Sequence, residues 1–244
     1  MIDYMQKGKK KVFLSAIVPV FNEEKRISGL EKIVKYLKKQ SYTWEVLVVN
    51  DGSTDKTLKM VKEMGLPIKV MSYRKNKGKG AAVRKGMLAA KGEKRLFIDI
   101  DLSTPVEEME KIAQWWDKFP VVIGNRKASR AKIVKKQSPM RQFLGEGYIR
   151  LSQLALGMKI RDFNCGFKCF SAEAAEKIFK KQLIDRWGFD VEILYLAKKA
   201  GLKIKEVPVT WKDEENSKVK FPGALIDSLN DIWRIRKNDW QNKY

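Results

Sequence analysis

An α/β fold is what this sequence predicts: a mainly parallel central sheet, helices on both of its faces and an amphipathic helix at the C-terminal end. Three observations lead there. Short, almost wholly apolar runs alternate with amphipathic helical stretches through the first hundred residues, which is the rhythm of right-handed βαβ crossovers. The apolar runs lack the in–out alternation of a half-solvated strand, so both faces of the sheet are covered. Polar residues collect just after the ends of those runs, where open parallel sheets bind their ligands.

The elements follow in order. Residues 13–20 (FLSAIVPV) read as a buried strand. Residues 24–40 place Ile27, Leu30, Ile33, Val34 and Leu37 at helical spacing. Residues 44–49 (WEVLVV) give a second strand, and the turn Asp51-Gly52-Ser53-Thr54-Asp55 caps a helix that runs through residue 64. A strand at 68–72, a helix at 80–90 and a strand at 95–99 (RLFID) complete the alternation. From about residue 126 the rhythm changes. Residues 127–136 are basic and loop-like; residues 140–156 form a helix with Phe143, Leu144, Tyr148, Leu151 and Leu154 apolar; residues 162–170 (DFNCGFKCF) carry a turn. Helices at 172–180 and 190–200 and a strand at 204–209 come next. The tail from residue 222 sets Leu225, Ile226, Leu229, Ile232 and Trp233 against Arg234, Arg236 and Lys237. No repeat or low-complexity linker interrupts the chain, so a single domain over 1–244 is expected.

Composition narrows the function classes. Of 244 residues, 44% are hydrophobic, which supports a packed core. The formal net charge of +22 predicts attraction to a polyanion: nucleic acid, an anionic membrane surface or phosphorylated substrates. Cys165 and Cys169 are the only cysteines and there is no histidine, which excludes a Cys/His zinc site. They are expected to be reduced thiols of a cytosolic protein. The apolar run at 12–21 is short and ends in Asn22-Glu23-Glu24, unlike a signal peptide, and no stretch approaches the ~20 apolar residues of a transmembrane helix.

The chemistry starts from Asp99-Ile100-Asp101. Two carboxylates one residue apart at a strand end point the same way across an extended backbone. With diphosphate oxygens they make an all-oxygen site suited to Mg²⁺ or Mn²⁺. A D-x-D pair alone is a common, usually solvated strand end; its neighbours give it meaning. Pro19-Val20-Phe21-Asn22-Glu23-Glu24 closes the first strand, Val49-Asn50-Asp51-Gly52-Ser53-Thr54-Asp55 the second, and Asn76-Lys77-Gly78-Lys79-Gly80 leads into a helix whose N-terminus can help bind a donor.

In this order and spacing the segments resemble the inverting nucleotide-sugar glycosyltransferases of GT-A fold. Gly124-Asn125-Arg126, Ser138-Pro139-Met140-Arg141, Asp162-Phe163-Asn164-Cys165-Gly166-Phe167-Lys168, Trp187-Gly188-Phe189-Asp190-Val191-Glu192 and Glu206-Val207-Pro208-Val209 look like the branch that glycosylates polyprenyl phosphates, which includes dolichyl-phosphate mannose synthases and dolichyl-phosphate β-glucosyltransferases. The resemblance covers about residues 13–240. Asp101-Leu102-Ser103-Thr104-Pro105 is similar to the glucosyltransferase side.

The resemblance implies a GT-A, Rossmann-like fold with a nucleotide-binding half at about 12–125 and an acceptor- and membrane-facing half at about 126–244. It implies that Pro19, Phe21, Glu23, Val49 and Asp51 line the nucleoside pocket. Lys79, Asp99, Ile100, Arg126 and Lys218 are expected to contact the nucleotide-sugar, and Asp99, Asp101 and Ser103 to hold Mg²⁺ or Mn²⁺. Asp101, Arg126 and Arg141 are the residues expected to act in catalysis. Asn50 and Ile100 depart from the family's usual Asp and Ala. The bare residues add that a phosphate acceptor is already anionic, so it needs positioning and charge compensation rather than a base; arginine's planar fork suits phosphate oxygens. Asp190 or Glu192 is expected to orient the acceptor arginines, and Asp162 to be structural.

The expected reaction is metal-dependent, inverting transfer of a hexose, glucose from UDP-glucose, to a polyprenyl or dolichyl phosphate. Mannosyl transfer from GDP-mannose and transfer to another acceptor are the alternatives; a nucleic-acid binder is disfavoured because no such module is recognisable. The helices at 140–156 and 222–240 are expected to meet an anionic membrane surface, directly or with a membrane-anchoring partner protein, at its cytoplasmic face.

Overall fold

The computed structural model describes residues 11–135, 139–212 and 223–244, without the side chains at 135, 139, 141, 223–226 and 228. β1 (Leu14–Val20), β2 (Trp44–Asn50), β3 (Ile68–Ser72) and β4 (Lys94–Ile98) run parallel to one another, linked by α1 (Gly29–Leu37), α2 (Thr57–Glu63) and α3 (Lys79–Ala89). β1 and β2 form because they are rich in β-branched residues that fill both faces of a covered sheet; every residue of β1 is buried, whereas the edge strand β3 is only partly covered. Its alternate side chains supply two cores. Ile17 packs with Ala82, Val83 and Met87 of α3, whereas Ala16 and Val18 pack with Leu30, Ile33 and Val34 of α1. α1 is shorter than its periodicity suggests. Residues 23–28 form turns instead, with Arg26 N–H donating to Glu23 O at 2.8 Å and Gly29 N–H to Arg26 O at 2.9 Å.

Beyond β4 the chain passes a single 3₁₀ turn and α4 (Met109–Ala113), then β5 (Val121–Asn125), β6 (Lys132–Lys135), α5 (Pro139–Leu156), β7 (Phe167–Ser171), α6 (Ala172–Phe179), α7 (Phe189–Lys199), β8 (Ile204–Pro208), β9 (Thr210–Lys212) and α8 (Gly223–Trp240). Among the described residues, seven strands form one sheet in the order β3-β2-β1-β4-β7-β5-β8, and β6 and β9 pair separately. The sheet is mainly parallel, as expected, but β7 runs antiparallel to both of its neighbours. The expected turn at 162–170 is therefore half strand. Lys168 hides it, a cation in the middle of a five-residue run that is nonetheless fully buried. β5 is not among the expected strands, and β6 lies in the stretch expected to be a loop.

α5 and α8 pack against each other and keep an apolar stripe outward. On α5, Met140, Phe143, Leu151 and Leu154 are exposed, at intervals that put them on one face. On α8, Leu229, Trp233 and Trp240 are exposed. The Lys237 ammonium lies 4.9 Å from the Trp233 ring and the Arg236 guanidinium 5.4 Å from the Trp240 ring. Among the described residues, no helix is long and apolar enough to cross a membrane.

Candidate active site

The polar segments meet at the carboxyl ends of the parallel strands. Asn22, in the left-handed region at φ 53°, follows β1; asparagine tolerates this conformation. Its side-chain oxygen accepts the N–H of Thr54 at 2.8 Å, and its own N–H donates to Ser53 Oγ at 2.9 Å. Glu23 N–H donates to Thr57 Oγ1 at 2.7 Å. The loops after β1 and β2 are thus one stitched wall. Pro19 and Val49 are buried within the strands, Val49 in the core beside α3, whereas Phe21 and Glu23 are partly exposed at the wall's edge. Glu23 pairs with Arg26 at 3.1 Å.

Asp51 holds the next loop in place. It is 2% exposed. Its carboxylate accepts from Asn76 Nδ2 at 2.7 Å, Lys77 N–H at 2.9 Å and Gly78 N–H at 2.8 Å. Burial pushes its pKa up, against the two backbone donors. Asn50, at the family's aspartate position, spans β2 and β3 by donating to Ser72 Oγ at 2.8 Å. Gly78 starts α3 at φ 115°, where a side chain is strained and a Cβ would meet Asp185 O at 2.3 Å.

At the end of β4, Lys79 Nζ lies 2.7 Å from Asp99 Oδ1 and 2.8 Å from Oδ2. Burial works against the lysine's charge, but the Asp99 carboxylate outweighs it and holds the ammonium above its usual pKa. The lysine also lies 5.1 Å from the Phe97 ring and 5.8 Å from the Trp187 ring. The other wall of Asp99 is Gly166, which precedes β7: its carbonyl accepts Asp99 N–H at 3.2 Å, and a Cβ there would lie 1.9 Å from Asp99 Oδ2. Ile100 is buried under α1, at 5% exposure, and turns away from the opening. Asp101 is partly exposed and its Oδ1 accepts the N–H of Ser103 at 3.0 Å. Leu102 sits at φ 50°, a strained conformation for a branched residue. Ser103 O accepts Lys212 N–H at 2.9 Å, which ties β9 to the D-x-D turn.

The end of β5 is anchored by one ion pair, with Asp162 buried and Arg126 partly exposed. Asp162, 1% exposed, accepts from Arg126 N–H at 2.8 Å, Nε at 2.7 Å and Nη2 at 2.7 Å. Burial disfavours both charges, but each holds the other ionised: the arginine is held further up and the aspartate below the usual carboxylate range. The Arg126 guanidinium lies 5.2 Å from the Trp211 ring. Asp162, rather than Asp190 or Glu192, orients this arginine. Asp190 pairs with the fully buried Lys168, and Glu192 accepts the N–H groups of Leu183 and Ile184 at 3.0 and 2.8 Å. Sequence patterning cannot reveal the two ion pairs, because their partners are 36 and 22 residues apart and are brought together only by the fold. The side chain of Arg141, and Lys218, lie outside the described residues.

Asp99 and Asp101 offer the hard oxygen donors that a divalent cation takes. Among the described residues, no cluster of three or more acidic or thiol ligands surrounds them; two carboxylates fit a metal whose remaining ligands come from elsewhere.

The glycosyl transferase family 2 model matches residues 15–179, which takes in both stitched loops, the D-x-D turn and the Arg126–Asp162 pair. The chain belongs to glycosyl transferase family 2. It is a glycosyltransferase, and its similarity to known proteins runs well past the matched segment. It is 38% identical over 239 residues to a dolichyl-phosphate beta-glucosyltransferase of Trichomonas vaginalis, covering 92% of this chain and 73% of the relative. With the Homo sapiens protein of the same description it shares 35% over 241 residues, 91% and 74% of the two chains. The fold of this family 2 member is GT-A. It superposes at TM-score 0.69 on glucosyl-3-phosphoglycerate synthase from Mycobacterium tuberculosis, solved with Mn²⁺, UDP and glucosyl-3-phosphoglycerate, at 18% identity over 92% of this chain and 80% of that one. Mannosyl-3-phosphoglycerate synthase from Rubrobacter xylanophilus matches at TM-score 0.69 and 15% identity, covering 96% and 76%.

Proposed function

We propose that this glycosyltransferase moves glucose from UDP-glucose to a dolichyl or other polyprenyl phosphate, with inversion, at an anionic membrane surface. The observation that carries the reading is the extent of the likeness: relatives described as dolichyl-phosphate beta-glucosyltransferases align with more than nine-tenths of the chain at 35–38% identity. The two halves of the chain act as a single catalytic domain, since both contribute strands to one sheet.

The geometry supports a division of labour. The wall of Phe21, Glu23 and the Asp51-braced loop receives the nucleoside. Asp99 and Asp101, with Ser103 beside them, are the residues that would hold Mg²⁺ or Mn²⁺. The ion would neutralise the charge of the departing diphosphate. Lys79 adds a second positive charge at the same place. On the far side, Asp162 takes the Nε–Nη2 edge of Arg126, and the Nη1 end is left to meet the acceptor phosphate. That phosphate is its own nucleophile, so no general base is required, and Asp190, neutralised by Lys168, is not used as one.

The lipid reading draws on the charge of +22 and on the exposed stripes of α5 and α8, the latter with cations over its tryptophan rings. One experiment tests the whole. The protein is incubated with radiolabelled UDP-glucose, GDP-mannose and other nucleotide sugars, a short polyprenyl phosphate and Mg²⁺ or Mn²⁺, and label in the organic phase is counted. Label from UDP-glucose is expected. Label only from GDP-mannose would correct the donor, and label from none would reject the lipid acceptor. Flotation with anionic vesicles at low salt, lost on Phe143→Asp with Leu154→Asp, checks the membrane component.

A further inference from the structure

The segment between α6 and α7 is braced at almost every residue. The Gln182 amide donates to Gly80 O at 3.0 Å and Ile184 O at 2.8 Å. Asp185 O accepts Ala81 N–H at 3.0 Å, and its carboxylate pairs with Arg84 at 2.8 Å. Glu192 holds the N–H groups of Leu183 and Ile184, and Asp231 of α8 holds that of Gly188 at 3.1 Å. None of these anchors uses the one aromatic side chain that the segment carries. Trp187 is 41% exposed, while Ile184, Gly188, Phe189 and Asp190 around it are buried.

The position of this ring is specific. Its centroid is 5.8 Å from Lys79 Nζ, which itself touches Asp99. Lys79 already has Phe97 at 5.1 Å, so the lysine does not require a second aromatic neighbour. A large apolar surface left in water on a rigid segment, one lysine away from the diphosphate-binding carboxylate, is placed to be covered by what the diphosphate carries.

We propose that the Trp187 indole is the platform for the donor's hexose ring. A pyranose with equatorial hydroxyls turns axial C–H groups outward from its faces, and these are attracted to the negative face of an aromatic ring. The sugar is bonded to the phosphate that Asp99, Asp101 and Lys79 address, so a ring resting on Trp187 keeps its anomeric carbon between that phosphate and the Arg126 side. The rigidity of the segment lowers the entropic cost of holding it. This inference rests on the nucleotide-sugar reading of the site.

The test compares the binding of UDP and UDP-glucose, each with Mn²⁺, by calorimetry in wild type, Trp187→Ala, Trp187→Leu and Trp187→Phe. In the Ala and Leu variants the dissociation constant for UDP is expected to stay within about twofold, while that for UDP-glucose rises roughly tenfold; Trp187→Phe recovers most of the loss. Leu keeps the apolar bulk without the π face, so it separates stacking from packing if Ala disturbs the fold. A UDP-glucose to UDP ratio unchanged in both variants overturns the proposal. So does equal weakening of both ligands, which makes Trp187 a prop for the loop, or a rise confined to the KM of the polyprenyl phosphate, which makes it a lipid contact. If the wild type binds neither ligand, the proposed function fails and this inference with it; wild-type binding with a flat ratio defeats this inference alone.

Discussion

Lys79 bridges both oxygens of Asp99, at 2.7 and 2.8 Å, from the first residue of α3. The pair joins the loop braced by Asp51 to the end of β4, so that loop and the D-x-D turn are held together. A cation arriving at Asp99 shares its carboxylate with an ammonium already there. Lys79→Met is therefore expected to lower kcat/KM for the donor by roughly 10²-fold. The same change tightens divalent metal binding in the absence of nucleotide, because one competitor for Asp99 is gone. Kinetics and Mn²⁺ titration followed by paramagnetic resonance check the two halves; weaker metal binding in the variant would show that Lys79 supports the site rather than competing for it.

Gly166 is the second control on Asp99. Its backbone conformation is open to any residue, but a Cβ would collide with the carboxylate at 1.9 Å. Gly166→Ala is expected to displace Asp99 and cost at least tenfold in kcat/KM, since small misplacements at reacting groups are expensive. The core behind it is untouched, so the melting temperature is expected to fall by no more than a few degrees. A variant with full activity would place Asp99 outside the working geometry.

The Arg126–Asp162 pair carries a pH signature. The folded-state pKa of Asp162 lies below its unfolded value. A carboxylate of this kind stabilises the fold above the unfolded value, about 3.9, and the stabilisation is lost as pH falls through the lower, folded value. Its loss is therefore confined to below about pH 4. Asp162→Asn is expected to remove this part of the acid transition and to destabilise the protein at neutral pH by about 3 kcal/mol, because the partly exposed Arg126 loses its carboxylate partner. Denaturant melts at pH 7 and between pH 4 and 2 measure both effects.

Lys168 and Asp190 offer a double-mutant cycle. Both are buried, and Lys168 also lies 5.6 Å from the Phe97 ring. Lys168→Met alone strands a carboxylate in the core and is expected to cost about 3–5 kcal/mol. Adding Asp190→Leu is expected to restore most of that stability. Urea unfolding of the four proteins gives the coupling; additive losses would mean that the two charges are independently solvated.

The sequence makes the N-terminal half legible and leaves the C-terminal half partly hidden, for physical reasons. β1 and β2 are nearly contiguous apolar runs closed by turn residues, so composition and order suffice. The D-x-D turn follows from β4 in the same way. β7 escapes notice because its pattern is broken by Lys168, whose partner Asp190 is brought close only by the fold. Asp162 looks like a capping residue until Arg126, 36 positions earlier, is seen against it. Asp51 and Val49 are expected at a nucleoside pocket from the resemblance alone; in the structure Asp51 braces residues 76–78 and the Val49 side chain lies in the core.

The antiparallel strand has a consequence for synthesis. β4 pairs with β1 on one side and with β7, some seventy residues further along, on the other. While the chain is emerging, the β7 side of Leu96-Phe97-Ile98 has no partner until residues 167–169 are available, and an apolar unpaired edge is a template for association between chains. Pairing at such sequence separation is slow. The nascent protein thus spends the middle of its translation with an unfinished seam through the centre of its sheet, and nascent chains stalled between residues 100 and 165 are where chaperone dependence should concentrate.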